Sequence, residues 1–242
     1  MNWLVMTTAA CAALVLLSAV ADADEPPDPA RVSAIAAMLP DAPVGLGRPI
    51  SDRAAWDALA ATPLLQSIVA AAERLLAEPL PEQPDDLYLD FSRTGNRTRW
   101  QEVAGGRRGR VRTLTLAECA ENRGRFLPAL EEVIAALCAE RTWVLPAHDR
   151  SLTNFRGESV DIDLASSSLA WELATANWLL GERLSPQVRE LIRTNLARRV
   201  LDPYRDMFLG KRAPNWWLHT NSNWNAVCLA GVTGAALAQL PA

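Results

Sequence analysis

Fourteen residues from Asn215 to Cys228, NWWLHTNSNWNAVC, hold four asparagines, three tryptophans and one of the chain's two histidines. An imidazole accepts or donates a proton near neutral pH. Asparagine amides donate and accept hydrogen bonds and stay neutral at any working pH. Indoles offer flat apolar faces that suit the C–H faces of a sugar ring. Each type also has a purely structural use: asparagine is a favoured cap and turn residue, and tryptophan is ordinarily a half-buried core residue with its N–H satisfied. The second histidine, His148, precedes Asp149 and Arg150 in WVLPAHDRSLTNFRGESVDID. The adjacent carboxylate can orient and tune the imidazole, or the pair can simply anchor the loop.

Two further groupings carry charge. Asp161 and Asp163 stand two residues apart, the second at a position suited to capping a helix. Arg93, Arg97, Arg99, Arg107, Arg108, Arg110 and Arg112 form the most basic stretch. Guanidinium forks bind carboxylates and sulfates two-point, so an acidic glycan can lie along such a run. The structural alternative is a solvated helix face paired with Glu102, Glu118 and Glu121. No Gly-rich phosphate loop, Ser-His-Asp order, CxxC or HExxH pattern is present, so no nucleotide, cofactor or metal site is expected.

The 242 residues carry a net charge of −4 and are 50% hydrophobic, which fits a folded chain and gives no bulk positive field for nucleic acid. The first 21 residues have no charged side chain, run apolar from Trp3 to Val20 and end in Ala19-Val20-Ala21. This pattern predicts a cleaved signal peptide, a periplasmic or secreted location and no membrane span after cleavage. An uncleaved anchor is the alternative. Export leaves Cys119, Cys138 and Cys228 in a disulfide-permissive compartment, where the first two can pair or all three can be small buried hydrophobes.

The elements that must position these residues are helical. Residues 22–50 form a proline-rich lead-in around one helical pattern, Ala30 to Met38. Helices are expected from Arg53 to Ala61, from Thr62-Pro63 to about Leu76, in three segments between 95 and 141, from Leu164 to Leu180, and from Ser185-Pro186 to a stop at Pro203. Leu87 to Phe91 is the only plausible strand. A short amphipathic piece spans Tyr204 to Leu209, and the last helix, from about Ser222 to Leu240, is apolar all round and should be buried on every face. Helical pairs around a buried inner helix describe an all-α fold, an incomplete α/α toroid over 51–242.

Trp143-Val144-Leu145-Pro146-Ala147-His148-Asp149, Asp161-Ile162-Asp163-Leu164, Arg198-Arg199 and Asn223-Trp224-Asn225-Ala226-Val227-Cys228 together resemble the heparinase II/III-like polysaccharide lyases. The resemblance covers about residues 45–242. It implies an α/α toroid followed by a β-sheet domain, and cleavage of a uronate-containing polysaccharide by β-elimination. In that reaction the C5 proton is barely acidic until the adjacent carboxylate charge is offset. By resemblance, Asn225 is the carboxylate neutraliser with Asn223 second, and His148 or His219 takes part in proton transfer. Asn221, Asn223, Trp216, Trp217, Trp224 and Arg150 are the residues expected to bind the acidic polysaccharide. The family's catalytic tyrosine and its sheet domain come later than Ala242, so the resemblance implies the front part of a longer protein, inactive alone and of unknown oligomeric state. Two other classes stand beside it: a non-catalytic glycan-binding scaffold, and an α/α-barrel glycoside hydrolase, which needs two facing carboxylic acids.

Overall fold

A computed structural model describes residues 28–38 and 47–239. The expected leader over 1–21 lies outside them, as do Cys11 and the end of the expected last helix. The chain divides into two units, Met1–Asp41 and Ala42–Ala242. Helix α1 (Pro29–Ala36) is the described part of the first. Asp28 caps it through Ala30 N–H at 2.9 Å, and Pro29 sits in its first turn, where a missing N–H does no harm.

In the second unit every regular element among the described residues is helical: α2 (Arg53–Ala60), α3 (Pro63–Ala77), α4 (Asp85–Thr94), α5 (Thr98–Glu121), α6 (Leu127–Ala139), α7 (Leu164–Leu180), α8 (Pro186–Leu196), α9 (Asp202–Phe208) and α10 (Asn223–Leu237). Helix α5 runs through the middle and touches α2, α3, α4, α6 and α7, while α10 packs chiefly on α7. Local punctuation follows the residues. Thr62 caps α3, Ser185 caps α8 ahead of Pro186, and Asp163 caps α7 in a capping box with Ser166. Leu130, Val133, Ile134 and Leu137 form the buried face of α6, as their spacing predicts.

Four expectations change. Leu87–Phe91 is not a strand but the middle of α4, where Asp85 and Asp86 sit in a favourable first turn and Gly95 ends the helix at φ 75°. The expected segments between 95 and 121 are one 24-residue helix. Gly105, Gly106 and Gly109 have nothing within 4 Å of where a Cβ would stand, so they face open space while Trp100, Ala104, Val111, Leu114 and Ala117 pack inward. Pro203 does not stop the chain's helical path. A π turn over Ala197–Leu201 widens the ladder just before it, and α9 continues with Pro203 in its first turn. Finally, α10 is buried on one face only: Cys228, Gly231, Val232, Gly234 and Ala235 face inward, while Val227 and Leu237 are exposed.

The arginine run is largely structural. Arg107 donates to Pro81 O at 2.7 Å, and Arg110 donates to Glu78 O at 3.0 Å and Pro79 O at 2.8 Å, closing the end of α3 and its linker. Arg93 and Arg99 pair with Asp86 and Asp90 on the surface. Cys119, Cys138 and Cys228 are buried and free, with burial pushing their thiols up to about 12, 11 and 11. No single helix among the described residues is long and apolar enough to cross a membrane.

Glycine lets α10 approach α7. A Cβ on Gly231 would stand 2.6 Å from Ser167 O, a backbone atom, whereas one on Gly234 would stand 2.5 Å from the indole nitrogen of Trp171, a side chain 43% exposed. Backbone cannot yield without separating the helices, but the Trp171 ring can rotate away. Gly231→Ala should therefore destabilise the fold by about 1–3 kcal/mol, outweighing the helix-propensity gain of about 1 kcal/mol, and Gly234→Ala by less. Urea midpoints at unchanged m-value check this. Equal midpoints for the two variants would refute the packing argument.

Candidate functional site

The segment between α6 and α7 carries a 3-10 turn, Pro146–His148, that faces the start of α10. Three anchors hold it. Tyr88, Trp100 and Ala104 form a small apolar cluster, against which Leu145, Leu152 and Phe155 pack. Asp149, buried, accepts from the Tyr88 hydroxyl at 3.1 Å, Asn154 N at 3.1 Å and Phe155 N at 2.8 Å. Burial, with the Asp149 carboxylate next to it, pushes the Tyr88 phenol far above its ordinary range. Leu152 takes a left-handed backbone, φ 59°, uncommon for a residue other than glycine, and packs on the same cluster.

The third anchor is Asp163. One carboxylate oxygen accepts the α7 N–H groups of Ala165 (3.1 Å) and Ser166 (2.7 Å). The other accepts Leu145 N–H at 2.9 Å and meets His148 Nδ1 at 2.7 Å. Burial raises this carboxyl's pKa, but the hydrogen bonds from His148, Leu145 and Ser166 outweigh it and hold the group below the usual aspartate range. An ionised carboxylate can only accept, so Nδ1 carries the proton and the Nε2 lone pair is left as a base. The expected partner, Asp149, is therefore not the orienting group. Asp163, read from the sequence as a cap, performs both tasks, and its 15-residue separation from His148 leaves no signal in the spacing.

Aromatic rings wall this dyad. The Trp224 ring stands 4.4 Å from the imidazole, and Trp216, 60% exposed, stands 5.0 Å from Trp224. Trp217 is different: it is 1% exposed and donates its indole N–H to Ile162 O at 2.6 Å, so it is core and cannot stack on a ligand. Asn215 joins the same seam, accepting Ile162 N–H at 3.0 Å and donating to Asp161 at 2.9 Å.

Asn225 is also corrected. Its amide nitrogen donates to Trp217 O at 3.2 Å and Leu218 O at 2.9 Å. Two carbonyls take its two protons, which leaves none for a substrate carboxylate, and a flipped amide would set oxygen against oxygen. Asn225 positions the Trp216–His219 turn. Asn221, Asn223, His219 and Arg150 lie exposed, and none of them hydrogen-bonds or pairs with Asp163 or His148. Ser222, the residue before α10, makes no side-chain cap; its carbonyl accepts Asn225 N–H at 3.1 Å, and of the first-turn N–H groups those of Asn223 and Trp224 remain open.

Among the described residues no three His, Cys, Asp or Glu side chains gather as metal ligands. Comparison with protein-family models and with curated proteins returns no match for this chain.

Asp163→Asn places an amide where Leu145 N–H and His148 need an acceptor. The His148 proton should move to Nε2, as read from ring nitrogen shifts in NMR, and stability should fall by about 1–3 kcal/mol. Because the folded pKa of Asp163 is depressed, its contribution is fully present above the ordinary value of 3.8 and is lost as pH falls below it. The stability gap between wild type and variant should therefore narrow only in that acidic window. An unchanged tautomer would remove the basis for the dyad.

Proposed function

We propose that this chain is the helical, glycan-handling part of a polysaccharide lyase of the heparinase II/III-like kind, acting on a uronate-containing glycan by β-elimination, with an α/α toroid as its architecture. The single observation that carries this is the Asp163–His148 dyad walled by Trp224 at the open N-terminus of α10. An imidazole held in one tautomer, with Nε2 free to accept, is suited to removing a C5 proton. The open N–H groups of Asn223 and Trp224 and the positive end of α10 supply the anion-binding role that the Asn225 side chain cannot, with the exposed Asn223 side chain beside them. Trp216 offers an exposed indole face for a sugar ring.

The four stretches behind the resemblance also meet in space. Arg199 lies over the Trp143 ring at 5.0 Å and donates to the carbonyls of Cys138, Glu140 and Arg141. Asp163 holds Leu145 and His148, and Trp224 covers His148. A hydrolase would instead need two carboxylic acids across a cleft, whereas here the acid is paired to an imidazole and buried.

Oligosaccharides of alginate, hyaluronan and heparan sulfate are the test. A substrate of this class should quench the tryptophan fluorescence of this chain saturably, and the full-length parent lyase should convert it to an unsaturated uronate, read as rising ultraviolet absorbance. Trp216→Ala should weaken binding about tenfold, a loss of roughly 1.4 kcal/mol. His148→Ala should keep binding and lower elimination about 100-fold or more. Absence of both quenching and absorbance with all three glycans would sink the reading, and new reducing ends without absorbance would give the reaction to a hydrolase.

A further inference from the structure

Behind the Tyr88 cluster, on different residues from the dyad, lies a cavity of about 420 Å³ between the start of α4, α5 and the end of α6. That volume falls within the range of small-molecule sites, about 300–1,000 Å³. Glu140 lines it with a side chain only 9% exposed, and both its carboxylate oxygens lack a hydrogen-bond partner. The nearest cations stop short of hydrogen bonding: Arg107 Nε stands at 3.5 Å and Arg108 at 3.6 Å. Arg107, 8% exposed, also lines the cavity and leaves Nε without a partner, as does the Gln83 carbonyl oxygen. Burial raises the Glu140 carboxyl above the ordinary range even with Arg108 and Arg107 drawing it down, as expected for a carboxylate short of donors. At the mouth, Asp85 and Arg141 form an ion pair at 2.7 Å, with both side chains more than half exposed.

Buried polar groups are nearly always partnered, so three unpartnered acceptors and one donor around a single cavity mark a place built for something that supplies both. Charge narrows the choice. Glu140 already faces two guanidinium groups, Arg107 and Arg108, and Asp85 is paired with Arg141. An ammonium ligand would meet those guanidinium groups, and an anionic ligand would meet Glu140. A neutral molecule with adjacent hydroxyls donates to the carboxylate and the amide oxygen and accepts from Arg107 Nε without adding charge. We propose that this cavity binds a neutral polyhydroxylated molecule the size of one sugar ring. The site stands on its own residues and does not rest on the lyase reading.

The test titrates glucose, glucosamine and glucuronate separately into the full chain and follows the side-chain N–H resonances of Arg107 and Trp100, which both line the cavity. Glucose should shift them saturably with a Kd of order 1 mM, and the two charged sugars should bind at least about tenfold more weakly. Ala139→Trp, at an exposed lining position, should plug the cavity and abolish the shifts. Gln83→Leu, which removes one acceptor without filling space, should weaken binding and keeps the test valid if the first variant does not fold. Resonances unmoved by all three sugars would mean that ordered water alone satisfies these groups, overturning the proposal. Equal binding of charged and neutral sugars, or full binding by Gln83→Leu, would overturn it too.

Discussion

One buried carboxylate joins the parts of this molecule that matter for chemistry. Asp163 takes hydrogen bonds from the first turn of α7, from the backbone ahead of the Pro146–His148 turn and from the His148 ring. A charge so deep is tolerated only when its lone pairs are filled, and here each oxygen has two partners. The same bonds that start a helix thereby fix the position and tautomer of the imidazole. Helix formation and site assembly are one event at this residue.

Around that point the polar side chains act mainly as fasteners. Asn215 and Trp217 bind both backbone groups of Ile162, and Asn225 holds the Trp216–His219 turn to the start of α10. Glu118, wholly buried, accepts Gly124 and Phe126 N–H groups and closes the turn from α5 to α6. These are long connections tied down by single side chains, since no strand pairing is present among the described residues to do so. What remains free of structural duty near the dyad is small: the Trp216 face, the open end of α10 and the Nε2 side of His148.

Much of the helical plan was legible because its signals are local. Caps such as Thr62, Asp163 and Ser185, stops such as Gly181 and the apolar spacing of α6 all act within a turn or two. Misreadings arose where packing outweighed local preference. Leu87–Phe91 alternates like a strand, yet Tyr88 is placed by Trp100 and Asp149, far away in the chain. Separate helical segments are expected between 95 and 141, yet α5 runs unbroken through Gly105, Gly106 and Gly109 because the residues of its other face are buried. The apolar composition of α10 suggested enclosure, yet small residues on its outer side leave alanine, valine and threonine in contact with solvent.

The sequence by itself determined an all-α fold class, most of the helix boundaries among the described residues and the short list of side chains able to do chemistry, because capping and amphipathic spacing depend on neighbours a few residues apart. Only tertiary structure decided which of them meet. It gave His148 to Asp163 instead of the adjacent Asp149, sent Trp217 into the core while leaving Trp216 outside, and gave both Asn225 amide protons to carbonyls. Those outcomes depend on where a chain returns after 15 or more residues, and on which backbone groups still lack partners when it arrives.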